Sequence, residues 1–148
     1  MQYQKSLEIQ IRVLGRDSSN VAGSYSNIGA VYQKQGKYEK ALVQYHKGLE
    51  IMLRVLGEDS PDVAASYNNI GEVYRVQGKY EEALVQYRQS LEIVIRVLGQ
   101  EHPNVAGTYN NIGAVYEKQG KYEEALVQYQ KSIEIRIRVL GQDSPDVA

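Results

Sequence analysis

The chain has 148 residues, 43% of them hydrophobic and 24% charged, with 17 basic and 18 acidic side chains and a formal net charge of −1. That length and apolar content allow one domain or a short repeat array with a sizeable core, and the near-neutral balance gives no electrostatic reason to expect nucleic acid or an anionic membrane as partner. The absence of cysteine excludes disulfides and thiolate metal sites, and no apolar run reaches membrane-spanning length.

The sequence repeats with a period of 42 residues. Gly15, Gly57, Gly99 and Gly141 share one column, and Pro61, Pro103 and Pro145 another. Tyr3/Tyr45/Tyr87/Tyr129, Tyr25/Tyr67/Tyr109, Tyr32/Tyr74/Tyr116 and Tyr38/Tyr80/Tyr122 account for all 13 tyrosines. The expected organisation is a single array over residues 1–148.

The chain opens inside a lone helix, residues 1–14, whose Tyr3, Leu7 and Leu14 align with Tyr45, Leu49 and Leu56 of a later one. Met1-Gln2-Tyr3-Gln4-Lys5 has no signal-peptide pattern, so a cytoplasmic location is expected. Three helical hairpins follow, over 18–56, 60–98 and 102–140. In the middle copy Ser60 offers an N-cap hydroxyl, Pro61 takes the first helical position and Asp62 complements the helix N-terminus. Val63, Tyr67, Ile70, Gly71 and Tyr74 continue at helical spacing, and Gly78 stops this first helix, A. Helix B starts at Lys79-Tyr80-Glu81-Glu82, with two carboxylates in its first turn.

The apolar set of helix B is Ala83, Leu84, Tyr87, Leu91, Val94, Ile95 and Leu98. Val85, Ile93 and Val97 form a second stripe, so helix B is expected to pack on more than one neighbour before Gly99 ends it. Residues 141–148 read as the stub of a further repeat, and the chain as a fragment of a longer array. A hairpin with so much apolar surface cannot bury it alone; stacked copies can.

Tyr67-Asn68-Asn69-Ile70-Gly71-Glu72-Val73-Tyr74, followed by Gln77-Gly78-Lys79-Tyr80-Glu81-Glu82-Ala83 and Tyr87, resembles the tetratricopeptide pattern W-x2-L-G-x2-Y…A-x3-F. Tyr67 stands for the usual Trp, Tyr87 for the Phe, and Ile95 where a closing proline is usual. Without that proline each helix extends to roughly 16–19 residues. The longer form is similar to the repeats of kinesin light chains. The resemblance implies an all-α fold: a right-handed α-solenoid of antiparallel helix hairpins, a TPR-like superhelix. It also implies a protein-binding scaffold.

The tyrosines read as inter-helix filling and Gly71 as a point of close approach by helix B. His46 and His102 stand in different columns without partners, and the Glu81-Glu82 pair recurs where a helix N-terminus favours negative charge. No catalytic, cofactor or metal residues are expected, and no enzyme.

The asparagines need another reason, since asparagine is a poor mid-helix residue. Asn27, Asn69 and Asn111 form one column in helix A, preceded by Ser26, Asn68 and Asn110. Positions 65, 68, 69, 72, 75 and 76 share one side, opposite Val63, Tyr67, Ile70 and Tyr74. In the resembling family that side lines the concave groove. The expected peptide-contacting residues are Asn27, Asn68, Asn69, Asn110, Asn111, Glu72, Arg75, Lys34 and Lys118; the alternative for the asparagines is a tie from helix A to its neighbouring helix. Small residues at Gly23, Ala65 and Gly107 leave room at the floor.

The expected function is a non-catalytic scaffold holding an extended peptide or short helix of a partner protein, with no cofactor, nucleic acid or membrane. The alternative is a structural spacer or self-associating rod within a larger protein, joined end to end through uncapped terminal helices.

Overall fold

The computed structural model describes residues 4–9 and 18–143. A helical stretch at 4–9 (α1) precedes six helices: α2 (Ser19–Lys34), α3 (Tyr38–Leu56), α4 (Pro61–Val76), α5 (Tyr80–Leu98), α6 (Pro103–Lys118) and α7 (Tyr122–Asp143). Helices α2, α4 and α6 are the A helices, and α3, α5 and α7 the B helices. Among the described residues there is no strand. Of the expected lone helix 1–14, only 4–9 lies within the described residues, and residues 144–148 of the stub lie outside them.

Helix starts follow local chemistry. The Ser18 hydroxyl accepts from Val21 N–H at 3.1 Å, and the Ser60 hydroxyl from Asp62 N–H at 3.2 Å. In the third copy His102 takes over, its Nδ1 accepting from Asn104 N–H at 3.1 Å. The A–B turns are three copies of one motif. Beyond helix A, Gly36, Gly78 and Gly120 take φ of 75°, 78° and 76°. Behind them Lys37, Lys79 and Lys121 donate N–H to the carbonyls of Tyr32, Tyr74 and Tyr116 at 2.9, 2.8 and 2.9 Å. This paired closure satisfies the last helical carbonyls and turns the chain sharply back.

Gly57 and Gly99 end α3 and α5 with φ of 80° and 93° and extended ψ, a conformation open essentially to glycine alone. Gly141 occupies the same column, yet α7 runs through it to Asp143.

Within each hairpin the B-helix tyrosine lies against the A-helix glycine. A β-carbon on Gly29, Gly71 or Gly113 would meet the ring of Tyr45, Tyr87 or Tyr129 at 2.8–2.9 Å. Between hairpins, α3 and α5 each pack on the following A helix: Leu42, Tyr45 and Leu49 of α3 share a core with Val63 and Ile70 of α4, and Leu84 of α5 one with Ile112 and Val115 of α6. Stacking of closely similar hairpins makes this an α-solenoid.

Exposed ties also link the copies. Arg96 pairs with Asp59 at 2.6 Å, Gln77 Nε2 donates to Glu39 at 2.9 Å, and Gln119 Nε2 to Glu81 at 2.8 Å. Exposed pairs add little stability and chiefly fix register. The Glu39 and Glu81 contacts are a use of the helix-B carboxylates that complementing the helix N-terminus did not suggest.

The second stripe of helix B departs from expectation. Ile93 is buried, but Val85 is 51% and Val97 37% exposed. Val43 and Val127, in the column of Val85, are each 51% exposed. Helix B meets its own A helix and the next one, and the Val85 column falls on the remaining arc, where no neighbour comes. The tyrosine columns fill inter-helix space with one exception among the described residues: Tyr122 is 65% exposed.

Candidate functional site

Successive A helices present one face along the array, and the recesses between them are the candidate site. Between α4 and α6 lies an open recess of about 340 Å³. Asn68 of α4 and Asn111 of α6 line it together, with Ala65 and Gly107 giving it room and Val94 of α5 beside them. Its mouth adds Pro61, Pro103 and Asn104. Asn68 Oδ1 is buried and accepts no hydrogen bond from any described residue. Losing water without replacement is costly; Gln77, Gln86 and Gln119 each hold a buried Oε1 in the same state, and Asn68 is the one of the four that lines this recess.

Between α2 and α4 a second recess, about 330 Å³, is lined by Ala30, Gln33, Lys34, Tyr38 and Val76. Lys34 is exposed at its edge. The remaining expected residues are not gathered into these recesses: Asn27, Asn69 and Lys118 are exposed on the A helices, and Asn110 is half-buried.

Glu72 and Arg75 are brought together with each other. Arg75 Nε donates to Glu72 Oε2 at 3.0 Å, and a second bond joins Arg75 Nη2 to Glu72 Oε1. The Tyr87 hydroxyl donates to the same Glu72 Oε2 at 3.2 Å. Donating to the Glu72 carboxylate raises the Arg75 pKa. Burial, then the charge and hydrogen bond of Glu72, push the Tyr87 phenol well above its usual value. The other copies repeat the reach with different partners. Tyr45 donates to Gln33 and Tyr129 to Glu117, each at 2.8 Å. The B-helix tyrosine thus passes under the A-helix glycine and emerges on the A-helix face, at Gln33 and Glu117 of one column and at Glu72 of the column three residues earlier.

Two features escaped sequence reasoning. The tyrosine contacts engage groove side chains that looked available in a one-helix projection. The helix-starting prolines and Asn104 also shape the recess mouth; the exchange of Asp62 for Asn104 in one column was the available signal. Among the described residues no group of three or more His, Asp and Glu could hold a metal ion, and no helix is long and apolar enough to cross a membrane.

A tetratricopeptide repeat model matches residues 1–53, 20–96, 62–138 and 104–148. Comparison with curated protein sequences finds no match. Among solved structures, BtubC (BKLC) from P. vanneervenii is 30% identical with a TM-score of 0.87, over 94% of this chain and 56% of that one. The nearly identical TPR-like repeats of a protein described as a kinesin light chain of Podosopora anserina give 20% identity and a TM-score of 0.76, over 93% of this chain and 65% of that one. The N-terminal domain of stress-induced protein-1 from C. elegans gives 22% and 0.66, over 79% and 85%. The chain therefore spans 56% and 65% of the first two neighbours' lengths. With the repeat model matched from end to end, the chain belongs to the tetratricopeptide repeat family, whose arrays are generally protein–protein interaction scaffolds.

Proposed function

We propose that the chain is a non-catalytic scaffold that holds an extended peptide or short helix of a partner protein in the concave groove along its A helices. Asn27, Asn68, Asn69, Asn110 and Asn111 contact the ligand backbone; Lys34, Lys118 and the Glu72–Arg75 pair select among its side chains. The observation that carries this reading is the meeting of Asn68 and Asn111 at the α4–α6 recess, where Asn68 Oδ1 has no donor among the described residues. Rotation of the Asn68 side chain toward the recess turns its amide to a peptide, Oδ1 accepting a peptide N–H while the NH2 groups donate to peptide carbonyls. The reading needs no cofactor and takes the cytoplasm as its compartment.

The test begins with selection of ligands from a displayed library of unbiased peptides. Asn68→Ala and Asn111→Ala are then compared with the parent chain by fluorescence anisotropy on the selected peptides. Each lost hydrogen bond, at about 0.5–1.5 kcal/mol, corresponds to a roughly 2–12-fold weaker Kd. Unchanged affinity in both variants, with helix content preserved, overturns the reading.

A further inference from the structure

The first and third hairpins share a contact that the middle one lacks. Lys47 Nζ of α3 stands 5.7 Å from the ring centroid of Tyr25, and Lys131 Nζ of α7 stands 5.4 Å from that of Tyr109. Both are at cation–π distance. The middle hairpin keeps the ring, Tyr67, but carries Gln89 in the lysine column. No described residue lays a cation over Tyr67.

A second column changes in the same hairpin and in the same electrostatic direction. Glu58 stands where the other copies have Arg16 and Gln100. Its charge reaches the ring: burial first, and then Glu58, raises the Tyr67 pKa. Glu92 is a further carboxylate without a partner. Its counterpart Glu50 pairs with Arg54 at 2.9 Å, whereas Arg96 turns to Asp59 at 2.6 Å. Neither Glu58 nor Glu92 forms an ion pair with a described residue.

These groups meet in an open recess of about 200 Å³ between α3 and α5, lined by Leu53, Glu58, Tyr67, Gln89, Glu92 and Arg96. That is less than the roughly 300–1,000 Å³ of small-molecule pockets and nearer the scale of one side chain. It shares no residue with the recess that holds Asn68 and Asn111.

We infer that this recess receives a lysine side chain of a partner protein, its ammonium standing over the Tyr67 ring as Lys47 and Lys131 stand over theirs. Glu58 and Glu92 supply the counter-charge, and the Gln89 amide oxygen accepts one of the three ammonium protons. The aliphatic stem lies along Leu53. In the first and third hairpins the chain fills the same seat from within, so the ligand is directed to the middle one. This contact lies apart from the A-helix groove and stands or falls without it.

The test follows proton–nitrogen correlation spectra of the 148-residue chain during addition of N-acetyl-lysine N-methylamide, with the norleucine analogue as the probe that lacks the ammonium. One side chain's contact corresponds to a Kd on the order of 1–10 mM, so the titration runs to about 50 mM. The expected result is saturable shifts at Tyr67, Gln89 and Glu92 with the lysine probe alone, and none at Tyr25 or Tyr109. Gln89→Lys, at an exposed position, is expected to weaken the response at least about tenfold, because a tethered ammonium competes at high effective concentration. Lys131→Gln with Gln100→Glu, both exposed, is expected to open a second seat at Tyr109. No shift at Tyr67, an equal response to norleucine, an equal response at all three tyrosines, or full binding by the Gln89→Lys chain overturns the inference. A silent Tyr109 in the double variant overturns the role given to these two columns.

Discussion

Helices α5 and α7 are nearly the same helix in two surroundings. Both begin Tyr-Glu-Glu-Ala-Leu-Val-Gln-Tyr. Leu84 in α5 is 2% exposed, and its counterpart Leu126 in α7 is 63% exposed. Tyr87 is 1% exposed, while Tyr129 remains half-buried. What differs is α6, which covers α5 and has no equivalent over α7 among the described residues. The residues facing the preceding A helix do not change, with Ile93 at 5% and Ile135 at 2%. A solenoid residue's burial is therefore a property of its neighbour as much as of its own helix, as expected where stability sums over adjacent interfaces.

Breaking the covered position gives the largest expected effect. Leu84→Ala costs about 2–5 kcal/mol, as for other buried leucines. Leu126→Ala stays within about 0.5 kcal/mol. Urea unfolding followed by circular dichroism, with hydrogen exchange of the α5 and α6 amides, separates the two. Equal losses at both positions would show that the α7 face is covered in solution.

Glycines sharpen the same contrast within a hairpin. Gly71→Ala puts a methyl 2.9 Å from the Tyr87 ring and costs about 1–3 kcal/mol. A β-carbon at Gly23, inside α2, meets nothing within 4 Å, so Gly23→Ala gains about 0.5–1 kcal/mol through helix propensity. Thermal melts of the two variants should move in opposite directions. A stabilised Gly71→Ala would mean that the tyrosine ring yields easily.

The smallest effect at neutral pH comes from Tyr87. Its folded pKa is raised, chiefly by burial. Its contribution is fully present below the unfolded value of about 10 and is lost as pH climbs through the higher folded value. Phenolate absorbance should therefore show Tyr87 ionising together with the loss of helix. Tyr87→Phe should move the alkaline midpoint upward, and an unchanged midpoint would count against the account given for Tyr87.

The repeat made much of the fold legible in the sequence. Ser60-Pro61 placed the start of α4, Gly78 the turn and Gly99 the end of α5, and the close approach of α5 to α4 followed from one glycine in mid-helix, Gly71. The A-helix face bearing Asn68 and Asn111 was readable from helical spacing. The Glu72–Arg75–Tyr87 contact was not, because it joins two helices and a projection of one cannot show it. Gly141 shows the limit from the other side: the column that ends α3 and α5 does not end α7.

By itself the sequence determined the period, the helices, their caps and the tight turns, because these depend on hydrogen bonds and backbone angles within a few residues. Tertiary structure alone decided which copy of each apolar column is covered and which groove side chains are engaged by tyrosine. It also brought Asn68 and Asn111 to one recess. Each of these depends on residues tens of positions away, and identical repeats carry no local mark of whether a neighbour is present.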